Sequence, residues 1–245
     1  MSGHSKWSTI KRKKGALDSK RSKIFSRIIK EITVAVKESG SDPDGNPRLR
    51  LALNNAKGAN MPKENILRAL SKAEKDNANF TEVTYEGHIP GGIAVFIECL
   101  TDNTMRTVGN VRAIFNKRGG NLGTNGSVAF LFERKGVITL PKGNLDSDEF
   151  QLEIIDYGVD DVEVTDENFV ITTPIESFQA VQKKLEEIGL EVENAELQRI
   201  PLETKSLPAE DAIKALKVVE LFEEDDDIQS VFHNLEITDE VAEMM

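Results

Sequence analysis

The sequence predicts an α+β protein: an N-terminal three-helix domain with a basic arm, followed by two ferredoxin-like α+β domains, one inserted in the other. Three observations carry this expectation. Apolar residues recur at helical spacing between Asp18 and Asp76. Beyond Thr81, strand-like and helix-like stretches alternate. Within that part, residues 136–200 spell strand, helix, strand, strand, helix, strand, the split-βαβ order.

Residues 1–17 are basic, rich in small residues and without apolar period, which predicts an extended arm. A helix is expected from Asp18 to Ser39, with Asp18 or Ser19 as N-cap and Gly40 just past its last turn. At 100° per residue, Phe25, Ile28, Ile29, Ile32 and Val36 gather on one side, and Lys20, Lys23, Arg27, Lys30 and Lys37 nearly opposite. Asn46-Pro47 supplies an N-cap and a favoured first-turn proline for a second helix, which carries Leu49, Leu53 and Ala56 inward and closes at Gly58. Pro62 opens a third, with Ile66, Leu67, Leu70 and Ala73 as its expected buried stripe. Asp76 to Thr81 reads as the linker that leaves this small bundle.

In the remainder, Ile93, Val95, Ile97 and Cys99 alternate as a strand does. Asp102-Asn103 starts a helix through Val108, Val111, Ile114 and Phe115 that ends at Gly119-Gly120. Val128–Phe132 and Val137–Leu140 read as strands, Ser147–Tyr157 as a helix, Val162–Val164 and Phe169–Thr173 as strands, Ile175–Ile188 as a helix, and Val192–Leu197 as a strand. Residues 90–133 then hold strand, helix and strand, while 208–236 hold a long helix and the strand Ile228–Val231. Neither remnant makes a stable sheet alone, so the two are expected to join around the 136–200 segment. The domain boundaries that follow are 1–80, then 81–134 with 205–245, and an inserted 135–204.

Composition excludes several classes. The 245 residues are 39% hydrophobic and 30% charged, ordinary for a folded domain and too apolar for wholesale disorder. No run approaches the roughly 20 apolar residues of a membrane span, and no apolar segment follows the basic N-terminus as a secretory signal requires. A single cysteine, Cys99, and three histidines, His4, His88 and His233, leave little to build a metal centre. A cytoplasmic protein without metal or cofactor is expected. The net charge of −11 argues at face value against a polyanionic partner. Divided along the chain, residues 1–80 hold 18 Lys+Arg and 8 Asp+Glu, whereas residues 81–245 hold 13 and 34. A basic module with net +10 precedes an acidic body with net −21.

The arm places Lys6, Trp7, Lys11, Arg12, Lys13 and Lys14 within nine residues. Cations neutralise phosphates and release counterions, and an indole stacks on an unpaired base. Together with Lys20, Arg21, Lys23, Arg27 and Lys30 on the first helix and Arg48, Arg50 and Lys57 on the second, they form the candidate nucleic-acid surface. The competing reading is a solvated tail with Trp7 folded onto the helices. Gly119–Gly126 is glycine-rich but follows a helix and matches no phosphate-loop or dinucleotide pattern; it reads as a connection needing positive φ, or as a loop that touches a large partner such as RNA. Catalytic signatures such as GxSxG, HExxH or CxxC are missing. Cys99 falls among core positions of a strand, and His88 is expected in a turn beside Pro90-Gly91-Gly92 with no catalytic partner in view. The expectation is a non-enzymatic protein.

Several ordered motifs add a resemblance. Gly3-His4-Ser5-Lys6-Trp7, Ile10-Lys11-x-Lys13-Lys14 and Asp18-x-Lys20-Arg21-x-x-x-Phe25 open the chain. Asp42-Pro43-x-x-Asn46-x-x-Leu49-Arg50, Asn60-Met61-Pro62, Leu100-Thr101-Asp102-Asn103-x-x-Arg106-Thr107 and Gly119-Gly120-x-Leu122-Gly123-x-x-Gly126-Ser127-Val128 follow. In this set, covering essentially the whole chain, the sequence resembles the YebC/PmpR family. Two departures stand out: Gly87-His88-Ile89-Pro90 where the family usually has Gly-Tyr-Gly-Pro, and Met105 where Asn is common. The resemblance implies a bacterial cytosolic protein of N-terminal helices and two α+β domains with a non-enzymatic regulatory role. Many members are described as DNA-binding transcriptional regulators. Others, including mitochondrial relatives that activate translation of a cytochrome oxidase subunit, look like ribosome-associated translation factors. The expected function is a DNA-binding transcriptional regulator, with a translation factor on ribosomal RNA as the alternative and a protein-interaction adaptor behind both.

Overall fold

A computed structural model describes residues 18–75 and 80–244, and the side chains from residue 21 onward. The expected N-terminal arm and most of the expected linker lie outside these residues. Among the described residues the chain forms eight α-helices and two four-stranded sheets. It separates into two compact units, one of residues 24–75 with 134–198, the other of 18–23, 80–133 and 199–244.

The first unit opens with three helices: α1 (Asp18–Ser39), which it includes from Ile24 onward, α2 (Pro47–Gly58) and α3 (Lys63–Lys75). Ile28, Ile32 and Val36 of α1 meet Leu49, Ala52 and Ala56 of α2 and Ala69 and Ala73 of α3 in one core. Gly40 ends α1 at φ +84°, a conformation that only glycine adopts without strain. Buried Asn46 fixes the next corner. Its Oδ1 accepts the Leu49 N–H at 3.0 Å, while its Nδ2 donates to the carbonyls of Ala35 and Gly40 at 2.6 and 2.9 Å. One side chain thus caps α2 and ties it to the end of α1. The expected stripe of α3 needs a correction at Leu67, which is 55% exposed. Ala69 faces the core instead, one turn before the expected Ala73, while Ile66 and Leu70 pack against the same cluster partly buried.

The same unit contains β4 (Phe132–Pro141), α5 (Ser147–Ile155), β5 (Asp161–Val164), β6 (Asn168–Pro174), α6 (Ile175–Glu187) and β7 (Asn194–Pro201). The strand order β5-β6-β4-β7 is that of a ferredoxin-like sheet, as the βαββαβ pattern requires. Phe150 and Ile154 of α5 and Phe178, Val181 and Leu185 of α6 pack on Ile138, Leu140, Phe169 and Ile171. Helix α2 docks on this sandwich by backbone recognition. Asn55 donates to the Ala195 carbonyl at 2.8 Å and accepts the Ala195 N–H at 2.9 Å, as a further strand residue would. Gly58 lies so close that an added Cβ would stand 1.9 Å from the Glu193 carbonyl oxygen.

The second unit is built on β1 (Thr81–Ile89), β2 (Ile93–Thr101), the two-residue β3 (Asn121–Leu122) and β8 (Ile228–His233), in the order β3-β1-β2-β8. Helices α4 (Thr104–Lys117) and α7 (Ala209–Glu223) supply Val111, Phe115, Leu216, Val219 and Phe222 against one face, and α8 (Asp239–Glu243) adds Val241. The sequence reading missed β1. It pairs antiparallel with β2 from Thr81↔Thr101 to Ile89↔Ile93, which places His88 inside a strand opposite Ala94 rather than in a turn. The turn is Pro90-Gly91-Gly92, with both glycines at positive φ (83° and 68°). Central β2 is covered on both faces: Ile93, Val95, Ile97 and Cys99 point to the helices, and Ala94 and Phe96 to a second cluster with Val128, Phe132 and Phe232.

A second correction concerns residues 128–132, expected as a strand. They form a 3-10 turn, Ala129–Leu131, and Phe132 begins β4 of the other sheet. The cause is a buried carboxylate. Glu86 of β1, 3% exposed, accepts the Gly126 N–H through Oε1 at 2.7 Å, and the Val128 and Ala129 N–H through Oε2 at 2.8 and 2.9 Å. Donors that a ladder would use are spent on this side chain, so no strand forms there.

Candidate nucleic-acid interface

Of the candidate surface, Lys6, Trp7, Lys11, Arg12, Lys13 and Lys14 lie outside the described residues, as does the side chain of Lys20. On α1, Arg21 is exposed, whereas Lys23, Arg27 and Lys30 are half-buried. The Lys23 ammonium donates to the Glu224 carbonyl at 3.0 Å. Within α1 the five residues Ile32–Val36 are all buried, so its apolar surface is wider than one stripe.

The two α2 arginines brace the bundle. Arg48 clasps two carboxylates of α1, Glu31 Oε2 through Nε and Nη2 at 3.2 and 2.9 Å, and Glu38 Oε1 through Nη1 at 2.9 Å. Arg50 donates to the carbonyls of Pro43 and Asp44 at 3.1 and 2.8 Å, closing the α1–α2 loop. Both guanidiniums are already oriented by protein acceptors, which for Arg48 are charged. Lys57, by contrast, is exposed in the last turn of α2.

The structure brings forward a group that lies outside the candidate surface drawn from the sequence. Arg68, Ser71, Lys72 and Lys75 line an open depression on α3. The three cations stand at i, i+4 and i+7, so they follow one helix face, and all are exposed. That spacing was visible in the sequence; the exposed Leu67 beside them was not.

In the other unit, the glycine-rich connection after α4 is anchored throughout on three residues of β1. Asn121 and Leu122 pair with His88 and Gly87. The Gly123 N–H donates to the Glu86 carbonyl at 2.7 Å, and the Glu86 carboxylate takes the three later N–H groups already described. Gly87 and Gly120 are required by close approach: a Cβ on Gly87 would stand 2.3 Å from the Asn121 oxygen, and one on Gly120 2.7 Å from the His88 oxygen. At the opposite end of α4, Asn103 caps the Arg106 N–H at 3.0 Å. The Arg106 guanidinium donates to Asp227 and Asp102 at 2.7 and 2.8 Å, and these hydrogen bonds, Asp227 first, raise its pKa above the ordinary value. Among the described residues no three His, Cys, Asp or Glu side chains converge as metal ligands, and no helix is long and apolar enough to cross a membrane.

Comparison with known proteins places these features. The TACO1/YebC protein N-terminal domain matches residues 5–76, and the TACO1/YebC second and third domain matches residues 80–235. A probable transcriptional regulatory protein of Geobacillus kaustophilus is 49% identical over 96% of this chain and 98% of its own length. One from Geobacter sp. (strain M21) is 48% identical with both chains fully covered. The crystal structure of a conserved hypothetical protein from Aquifex aeolicus superposes with a TM-score of 0.81 at 42% identity, covering 89% of this chain and 91% of that one. By sequence over its whole length and by fold, the chain belongs to the TACO1/YebC family.

Proposed function

We propose that this protein is a non-enzymatic regulator of gene expression that binds nucleic acid through its basic N-terminal part, acting on DNA as a transcriptional regulator. The supporting observation is the separation of charge, net +10 over residues 1–80 against net −21 over the rest. A polyanion is attracted to the basic residues and repelled by the acidic ones, which favours an encounter through the N-terminal part before any contact forms. The relatives' name as transcriptional regulatory proteins supports the same reading. The arm cations Lys11, Arg12, Lys13 and Lys14 and the exposed α3 face of Arg68, Lys72 and Lys75 supply phosphate contacts. Trp7 within the arm favours a second reading, binding to unpaired bases of ribosomal RNA in a translation factor.

Replacing Lys11, Arg12, Lys13 and Lys14 together by Ala tests the electrostatic core of the proposal. Affinity for duplex DNA falls, and the slope of log K against log salt flattens by about 3 to 4, near 0.9 for each phosphate that is no longer neutralised. An unchanged slope removes the arm from the interface. Crosslinking in cells followed by sequencing of both nucleic acids separates the two readings: promoter enrichment supports the regulator of transcription, and ribosomal RNA without promoters overturns it.

A further inference from the structure

We propose that the loop after α4 forms a second nucleic-acid contact, in which Phe130 stacks on an unpaired base while Lys117 and Arg118 meet phosphates further along the same strand. It extends the nucleic-acid reading to the acidic part of the chain, on residues that reading does not use.

The first observation is the exposure of Phe130, 69%, between neighbours that are buried: Val128 at 0% and Phe132 at 7%. A lone exposed apolar side chain needs no explanation. This one is held outward. The Glu86 carboxylate binds the N–H groups of Val128 and Ala129 immediately before it. After it, the Leu131 N–H donates to the Val128 carbonyl at 2.9 Å, and the Leu131 carbonyl accepts the Leu202 N–H at 2.9 Å. Both flanks are pinned, so the backbone that carries the ring at the surface is fixed. A platform ordered in advance loses little entropy when a flat ligand settles on it.

The second observation is charge. Residues 81–245 carry 34 acids, a density that would put about six in any thirty residues, yet residues 103–132 contain none. They hold Arg106, Arg112, Lys117 and Arg118 instead. Arg106 is engaged by Asp227 and Asp102, but Arg112, Lys117 and Arg118 are exposed and make no ion pair among the described residues. Lys117 and Arg118 end α4 on one side of the sheet, and the chain then rounds the β1 edge to Phe130 on the other. Asn121 and Asn125 are exposed along that path, where amides can meet base edges. A cationic, acid-free loop in an acidic body, ending on a fixed aromatic, is complementary to a single strand: charge for its backbone, a ring for a splayed base. A duplex offers no base for Phe130 to take.

The full-length protein is titrated with a fluorescein-labelled single-stranded RNA of mixed sequence and with duplex DNA of the same sequence. Phe130→Ala, Phe130→Tyr and Phe130→Leu are compared, and 5-iodouracil in the RNA maps contacts by photocrosslinking. Phe130→Ala weakens single-strand binding by about 5- to 150-fold, the range of one base–aromatic stack, and leaves the salt slope and duplex affinity unchanged. Phe130→Tyr retains affinity, and crosslinks fall within residues 117–130. Because Phe130 is exposed, thermal unfolding is unaltered, which excludes misfolding as the cause. Unchanged single-strand affinity in Phe130→Ala overturns the proposal, as does full restoration by Phe130→Leu, which would mark an apolar protein-docking residue. If the arm variant loses binding and Phe130→Ala does not, this contact alone fails; if the wild-type protein binds neither nucleic acid, both readings fail.

Discussion

Glu86→Gln is the most informative single substitution in the second unit, because it keeps volume and removes only charge and one acceptor. In the native loop Oε1 takes one N–H, from Gly126, and Oε2 takes two, from Val128 and Ala129. A glutamine amide oxygen at the Oε2 position retains two bonds, but as neutral ones. Charge-assisted bonds contribute about 1.5–3 kcal/mol and neutral ones about 0.5–1.5, so roughly 1 kcal/mol is lost at each. The amide nitrogen then faces the Gly126 N–H, donor against donor. Gly126 is exposed, so water recovers part of that loss, and about 1 kcal/mol remains. The sum is about 3 kcal/mol, carried by the turn that presents Phe130. Amide hydrogen exchange reads it directly: Val128 and Ala129 lose protection by about two orders of magnitude, while strand amides of β2 keep theirs. Retained protection at both positions would refute the clamp and show that packing of Val128 and Phe132 alone orders the loop.

Two further substitutions probe the first unit. Gly58→Ala should lower Tm by several degrees, although alanine in an open helix position stabilises by about 0.5–1 kcal/mol, because its Cβ would meet the Glu193 backbone oxygen at 1.9 Å; a rise in Tm by differential scanning calorimetry would show that α2 is not docked on the β7 segment. Arg48→Ala should cost stability, about 1 kcal/mol for a partly exposed clasp on Glu31 and Glu38, while leaving the salt dependence of DNA binding unchanged; a flatter salt slope would return Arg48 to the phosphate-contacting set.

The contrast between legible and illegible elements follows from where the determining interactions lie. Helices α1 and α2 carry their own punctuation, Gly40 and Asn46-Pro47, next to strong apolar period, so local sequence defines them. The βαββαβ segment was legible for the same reason. β1 was not: its stretch Thr-Glu-Val-Thr-Tyr-Glu-Gly-His-Ile carries a buried Glu where alternation leads one to expect an apolar residue, and its strand character comes from nine residues paired with β2. The apolar run 128–132 misled in the opposite sense, since the carboxylate that folds it into a turn is forty residues upstream. Among the site residues, nothing local distinguishes a cation that braces from one that binds. Arg48 and Arg50 stood beside Lys57 on one helix, yet the first two are held by acceptors within the bundle and its loop.

That distinction changes how the charge of the chain should be weighed. The 18 cations of residues 1–80 include Arg48, although Glu31 and Glu38 already engage it within the bundle. Likewise the net −21 of residues 81–245 conceals a thirty-residue stretch without a single acid. Attraction before contact follows the sum over each part, because the fields of neighbouring charges merge away from the surface, and in physiological salt it decays over about 8–10 Å. Contact follows the cations that stay exposed once the fold has formed. On the proposed function the sum would bring the polyanion to the N-terminal part, whereas exposed cations stand both on the α3 face and at the end of α4. Steering and grip are therefore separable properties here: raising ionic strength should weaken the first everywhere, while the stacking contribution of Phe130, which releases no counterion, persists.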